Sequence, residues 1–197
     1  LRWISLTALL AALGLVAVVA LPLVTGPSID GVTRWIPLGP FTLLSGMLAV
    51  PLLVVLSAND SQRGPILLIG AMVAAALQPD GATALALFAA AIALAAATRR
   101  PFWIVAAIAG GVAMSAALRT SGPPPQSFVE NVVTDVWTIQ PLAALALMLA
   151  LVWPLIVLAK GDERTRLSRL ALSAVLMGFV AISFAAPYPV PLIGYGA

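Results

Sequence analysis

The chain contains no cysteine and no histidine. Without thiols, disulfides and thiolate metal sites are excluded. Without imidazole, histidine ligation of haem, chlorophyll or zinc is excluded, and the commonest general base is missing. Charge is scarce as well: Asp, Glu, Lys and Arg make up 9% of 197 residues, against 62% hydrophobic, and mean hydropathy is +1.10. A soluble domain of this length needs more charge to cover its surface, so lipid must do the covering. The formal charge of +3 and pI near 10.2 would suggest nucleic acid in a soluble protein. The placement of the charges argues against nucleic acid as a partner.

Apolar stretches with little or no charge fall at about 3–24, 41–58, 65–79, 81–98, 101–118, 138–159 and 167–186. Each is close to the roughly 20 residues that a helix needs to cross about 30 Å of hydrocarbon. Pro79-Asp80-Gly81 separates the third from the fourth, because merging them would bury Asp80 and set Pro and Gly in mid-helix. The opening run outlasts a signal-peptide core and reads as a retained span. The expectation is an all-α, polytopic transmembrane bundle of about seven spans, forming one membrane domain over 1–197 with no internal repeat.

Seven spans put the termini on opposite sides. With the N-terminus cytoplasmic and the C-terminus outside, the inner segments carry Arg2, Arg63, Arg99, Arg100, Lys160, Arg164, Arg166 and Arg169. The outer loops then carry only Arg34 and Arg119, a strong positive-inside asymmetry. Asp30, Asp80, Glu130 and Asp135 fall outside, and Asp60, Asp162 and Glu163 fall in short inner turns. The spans hold almost no ionisable group, which argues against an ion-coupled transporter or lipid carrier.

Three polar islands share the outer face: Gly31-Val32-Thr33-Arg34-Trp35-Ile36-Pro37-Leu38, Gln78-Pro79-Asp80, and Thr134-Asp135. The first, continuing through Gly39-Pro40-Phe41, resembles the Gly-x-x-Arg-Trp-Ile-x-Leu-Gly-Pro-Phe signature of the SEDS family (shape, elongation, division and sporulation proteins, RodA/FtsW-like). Gln78 to Leu85 resembles that family's Gln-Pro-Asp-Leu-Gly-Thr-Ala-Leu, with Gly81-Ala82 in place of Leu-Gly. Thr134-Asp135-Val136 stands where the family has His-Thr-Asp-Phe, and Pro189 to Gly196 resembles its closing Pro-Leu-Pro-Phe-Ile-Ser-Tyr-Gly-Gly. The four matches occur in the family's order. They place this chain on the third to ninth spans of that fold, with the first two missing and the sequence stopping at the start of the last.

The resemblance implies a multi-pass protein of the bacterial inner membrane, related to the glycosyltransferases of peptidoglycan synthesis, cell shape and cell division. It implies a lipid-linked disaccharide as substrate, with Asp135 as general base on the acceptor hydroxyl. Arg34 and, more weakly, Arg119 become candidates to hold the departing pyrophosphate, with a divalent cation as candidate cofactor. Gln78 and Asp80 would stand beside the substrate. Three departures point elsewhere. The intramembrane Glu and Lys of the family are absent from Leu44 to Val50, Val133 replaces the His before Thr134, and the outer loop is cut to about 119–137.

Each residue also has a plainer reading. Asp135 can cap a helix starting near Val136 or Trp137, and Asp80 with Gln78 can hold its loop by capping the helix that starts at Gly81. Arg34 can pair with Asp30 or Asp80 as a loop clamp. Trp35, Trp137, Tyr188 and Tyr195 read as interfacial belt residues, Pro123-Pro124-Pro125 as a loop stiffener, and Gly110-Gly111 as a close-packing pair. On these readings the chain is a catalytically degenerate structural subunit whose partners are membrane lipid and other membrane proteins.

Overall fold

The structure is a computed structural model that describes residues 5–39, 41–119, 132–185 and 188. Four helices are long and apolar enough to cross a membrane: Leu6–Thr25, Gly81–Thr98, Pro141–Ala159 and Glu163–Ala185. Three shorter apolar helices, Ser45–Ser57, Arg63–Leu77 and Pro101–Ala117, complete the set among the described residues. In chain order the elements are α1 (Leu6–Ala20), α2 (Pro22–Thr25), β1 (Trp35–Leu38), β2 (Phe41–Leu44), α3 (Ser45–Ser57), α4 (Arg63–Leu77), α5 (Gly81–Thr98), α6 (Pro101–Ala117), α7 (Val132–Ile139), α8 (Pro141–Ala159) and α9 (Arg166–Ala185). A short 3-10 turn, Glu163–Thr165, leads into α9.

The seven apolar stretches all carry helices, but their ends differ from expectation. Phe41–Leu44, read as the start of a span, instead pairs antiparallel with Trp35–Leu38. Gly39, at φ +61°, makes the turn between the strands. Pro37 lacks an N–H and is tolerated because a two-stranded hairpin is all edge. This leaves α3 at 13 residues, or roughly 20 Å. The described residues are mostly helical, as expected of an all-α chain, and this hairpin is their one sheet.

The bundle centres on α5, which packs against α3, α4, α6 and α9. Ala82, Ala86, Leu87, Ala90, Ala91 and Leu94 of α5 are buried in the main core with Phe179 of α9 and Trp103 of α6. Small residues set the helix separation. A Cβ on Gly178 would lie 2.8 Å from the Ala86 Cα, and one on Gly46 would collide with the Thr83 side chain. This is how close packing arises where lipid supplies no hydrophobic drive between helices. By contrast α8 buries only Ala144 and Leu151. Leu142, Leu149 and Trp153 stand exposed on it, an apolar surface suited to lipid.

The two ends of the bundle are polar. At one, Asn59 Nδ2 donates to Ser168 Oγ at 2.9 Å, Ser168 Oγ donates to the Val55 carbonyl at 3.1 Å, and Arg169 Nη1 donates to the Leu158 carbonyl at 2.6 Å. The first two bonds join the end of α3 and the α3–α4 turn to the start of α9, and the third joins the end of α8 to it. The hairpin, the α4–α5 turn and Tyr188 meet at the other.

Candidate functional site

The hairpin end begins with a tight turn. Asp30 (φ +50°) and Gly31 (φ +79°) occupy its two central positions. Ile29 and Val32 exchange backbone bonds of 3.0 and 2.9 Å across it. Asp-Gly is the pair such a turn favours, since both residues must tolerate positive φ. The turn sends the chain back toward α4, where the Thr33 N–H donates to the Gln78 carbonyl at 3.3 Å. Arg34 follows, only 2% exposed, and its carbonyl accepts from the Ser45 N–H at 3.4 Å.

The Arg34 guanidinium carbon lies 4.8 Å from the centroid of the Trp35 ring and 4.4 Å from that of Tyr188. A cation so desolvated gains about 2 kcal/mol from an aromatic face. Tyr188 reaches further, because its hydroxyl oxygen accepts the Gly81 N–H at 2.9 Å. A Cβ on Gly81 would come within 2.9 Å of that oxygen and 2.6 Å of Leu118 Cδ2, so this residue is glycine for room. Burial raises the Tyr188 pKa above its ordinary value of 10.0, and the Asp80 charge adds to the rise while Arg34 opposes it.

Asp80 is the N-cap of α5 and is 2% exposed. Its Oδ1 accepts the Thr83 N–H at 3.2 Å and its Oδ2 accepts the Thr83 hydroxyl at 2.5 Å. The capping expectation is met. Gln78 ends α4, fully buried, and its Nε2 donates to the Val19 carbonyl at 2.6 Å. The Ser45 hydroxyl donates to the same oxygen at 3.4 Å. Gln78 therefore ties α1 to α4, just before Pro22 breaks the first helix.

The cluster thus unites Arg34, Gln78 and Asp80 with Tyr188, which the sequence reading had set aside as a belt residue. Arg34 and Asp80 are both buried at this end, and Tyr188 feels the charge of each. Tyr188 bridges Arg34 to the helix that Asp80 caps, and Asp30 sits exposed at the turn tip. Two clues to Tyr188 were present: it lies between Pro187 and Pro189, and it ends the last apolar run. Neither specifies a buried ring.

Asp135 lies on α7 (Val132–Ile139). The helix begins at Val132, so Asp135 lies in its first turn and is not its N-cap. There its charge still favours the positive helix end. It is half-buried, and α7 packs chiefly on α8, with Val133 and Val136 against Leu147, Leu151 and Val180. Arg119 is exposed at the end of α6, next to the Leu118 that closes over Gly81. Among the described residues no group of three Asp, Glu, His or Cys side chains could hold a metal ion. Glu130, Pro123-Pro124-Pro125, Tyr195 and the segment from Pro189 to Gly196 lie outside the described residues.

By length and composition the helices make this a membrane protein. No family model matches the chain, and no curated protein and no solved structure matches it either.

Proposed function

We propose that the chain is a SEDS-like protein of the bacterial inner membrane, related to glycosyltransferases that act on a lipid-linked disaccharide. In this reading each of the seven apolar helices passes through the bilayer. The hairpin end faces outward, and the turns rich in basic residues face the cytoplasm. One observation supports it above the rest. Arg34 belongs to the first family-like segment, Gln78 to Gly81 to the second, and Tyr188 to the approach to the last, and the three meet at one end of the bundle.

The same geometry divides labour among the acids. Both Asp80 oxygens accept from Thr83, which supports reading Asp80 as a helix cap, with Arg34 as a buried tie beside it. Asp135 is half-buried and takes the chemical role. Its carboxylate would accept the proton of the acceptor hydroxyl as that oxygen attacks the donor's anomeric carbon and the polyprenyl pyrophosphate departs. Arg119, at the exposed lip, would meet the pyrophosphate. A divalent cation would supply neutralising charge to the departing pyrophosphate. The test is polymer formation from labelled lipid-linked disaccharide by the reconstituted chain. Asp135→Asn should lower the rate about 100-fold or more, while Asp80→Asn, which can still cap, should keep most of it.

A second reading has its own support. Arg34, Gln78 and Asp80 are all buried and hold helices together, and α8 offers a long apolar face. A structural subunit needs no more than that. Wild-type chain that makes no polymer, yet co-purifies with another membrane protein, would establish this reading in place of the first.

A further inference from the structure

Between α5 and α6 runs an open groove of about 600 Å³. Its walls are Phe88, Ile92, Ile104 and Ile108, and its floor is made of small residues, among them Ala96 and Gly111. From Ala96 to Phe88 it follows α5 for roughly 12 Å. Gly110 and Gly111 have separate tasks here. A Cβ on Gly110 would press on Met72 and the Phe88 backbone at 3.0–3.1 Å, so that glycine packs helices. A Cβ on Gly111 would meet only the Phe88 ring at 3.6–3.7 Å, so that glycine leaves the groove open.

The lining stops at Ala96 and Ile104, about one helical turn from the two-residue turn Arg99-Arg100, and both arginines are exposed. The turn is well defined. Thr98 Oγ1 donates to the Leu94 carbonyl at 2.7 Å and accepts the Arg100 N–H at 3.4 Å, and Pro101 starts α6. Arg99 itself is left-handed at φ +52°, at a helix C-terminus where glycine is usual. No acidic residue lies between Thr98 and Pro101. At the α8–α9 turn, by contrast, Arg166 pairs with Glu163 at 3.7 Å. The α5–α6 turn is thus a concentrated positive charge one helical turn beyond an open apolar groove, an arrangement suited to a phospholipid headgroup and acyl chain.

We propose that this groove binds an anionic phospholipid, with an acyl chain along Phe88, Ile92, Ile104 and Ile108 and the phosphate between Arg99 and Arg100. The proposal requires only that α5 and α6 lie in a bilayer, and it is independent of any glycan chemistry.

The experiment is native mass spectrometry of the full chain with phosphatidylglycerol or phosphatidylcholine added. Wild type should retain phosphatidylglycerol about tenfold better. Arg99→Gln with Arg100→Gln should erase that preference, while Arg164→Gln with Arg166→Gln should preserve it. Gly111→Leu, which fills the groove, should cut retention severalfold, and soluble glycerol phosphate should not compete. Should Gly111→Leu fold poorly by circular dichroism, Ile92→Ala with Ile108→Ala trims two exposed walls and should also weaken retention. Equal loss of preference in both arginine pairs would mean diffuse surface charge and would overturn the seat. So would full competition by glycerol phosphate. Groove variants that change self-association but not lipid retention would overturn it in favour of a partner helix.

Discussion

Tyr188 joins two parts of the hairpin end, since its ring faces Arg34 and its hydroxyl oxygen faces α5. Tyr188→Phe keeps the ring and removes the acceptor, leaving the Gly81 N–H buried without a partner, which costs about 1–3 kcal/mol. Thermal unfolding in detergent should show a lower Tm for the variant, and an unchanged Tm would deny the hydroxyl its role. The pH dependence follows from the raised pKa. The folded state favours the neutral phenol, so this contribution is fully present below the ordinary value of 10.0 and is lost as pH rises through the higher folded value. The stability gap between wild type and Tyr188→Phe should therefore be constant up to about pH 10 and shrink above it. At this scale the sequence was readable where chemistry is local. Asp80 three residues before Thr83 announces a cap, and the structure has one. Tyr188 was not readable, because its partners lie more than a hundred positions away and no periodicity connects them.

Among the elements, the contact between α5 and α9 depends on Gly178 lying flat against Ala86. Gly178→Ala would push a Cβ to 2.8 Å from a backbone atom, an overpacking that costs about 1–3 kcal/mol. Gly111→Ala makes only ordinary contact with Phe88 and should be neutral in the same unfolding assay. Equal effects of the two would show that the α5–α9 approach is not tight. The apolar runs announced the helices because a helix in lipid needs little beyond length and hydrophobicity. Their ends were less legible. Phe41 to Leu44 is as apolar as a helix start, and only the pairing with Trp35–Leu38 turns it into a strand. Asp135 looked like a cap because Val136 and Trp137 open an apolar run, yet α7 starts three residues earlier at Val132.

For the whole molecule, the central claim is that the polar segments divide between two opposite ends, one outward and one cytoplasmic. The charge asymmetry predicts which segments share an end, and the bonds at each end join segments that it groups together. Thr33 meets Gln78 at one end, and Asn59 meets Ser168 at the other. The detail of the site was less legible, because a shared side of the membrane does not say which side chains touch. The most direct measurement uses the absence of native cysteine, which makes every single-cysteine variant a clean probe. Cysteines at the exposed positions Asp30, Thr134, Asn59, Arg100 and Gly161 would be treated in intact cells with a membrane-impermeant maleimide. Positions 30 and 134 should react at once, and positions 59, 100 and 161 only after the membrane is opened. Labelling of 30 and 134 from opposite compartments would contradict the division, and the kinship proposed from it would fail as well.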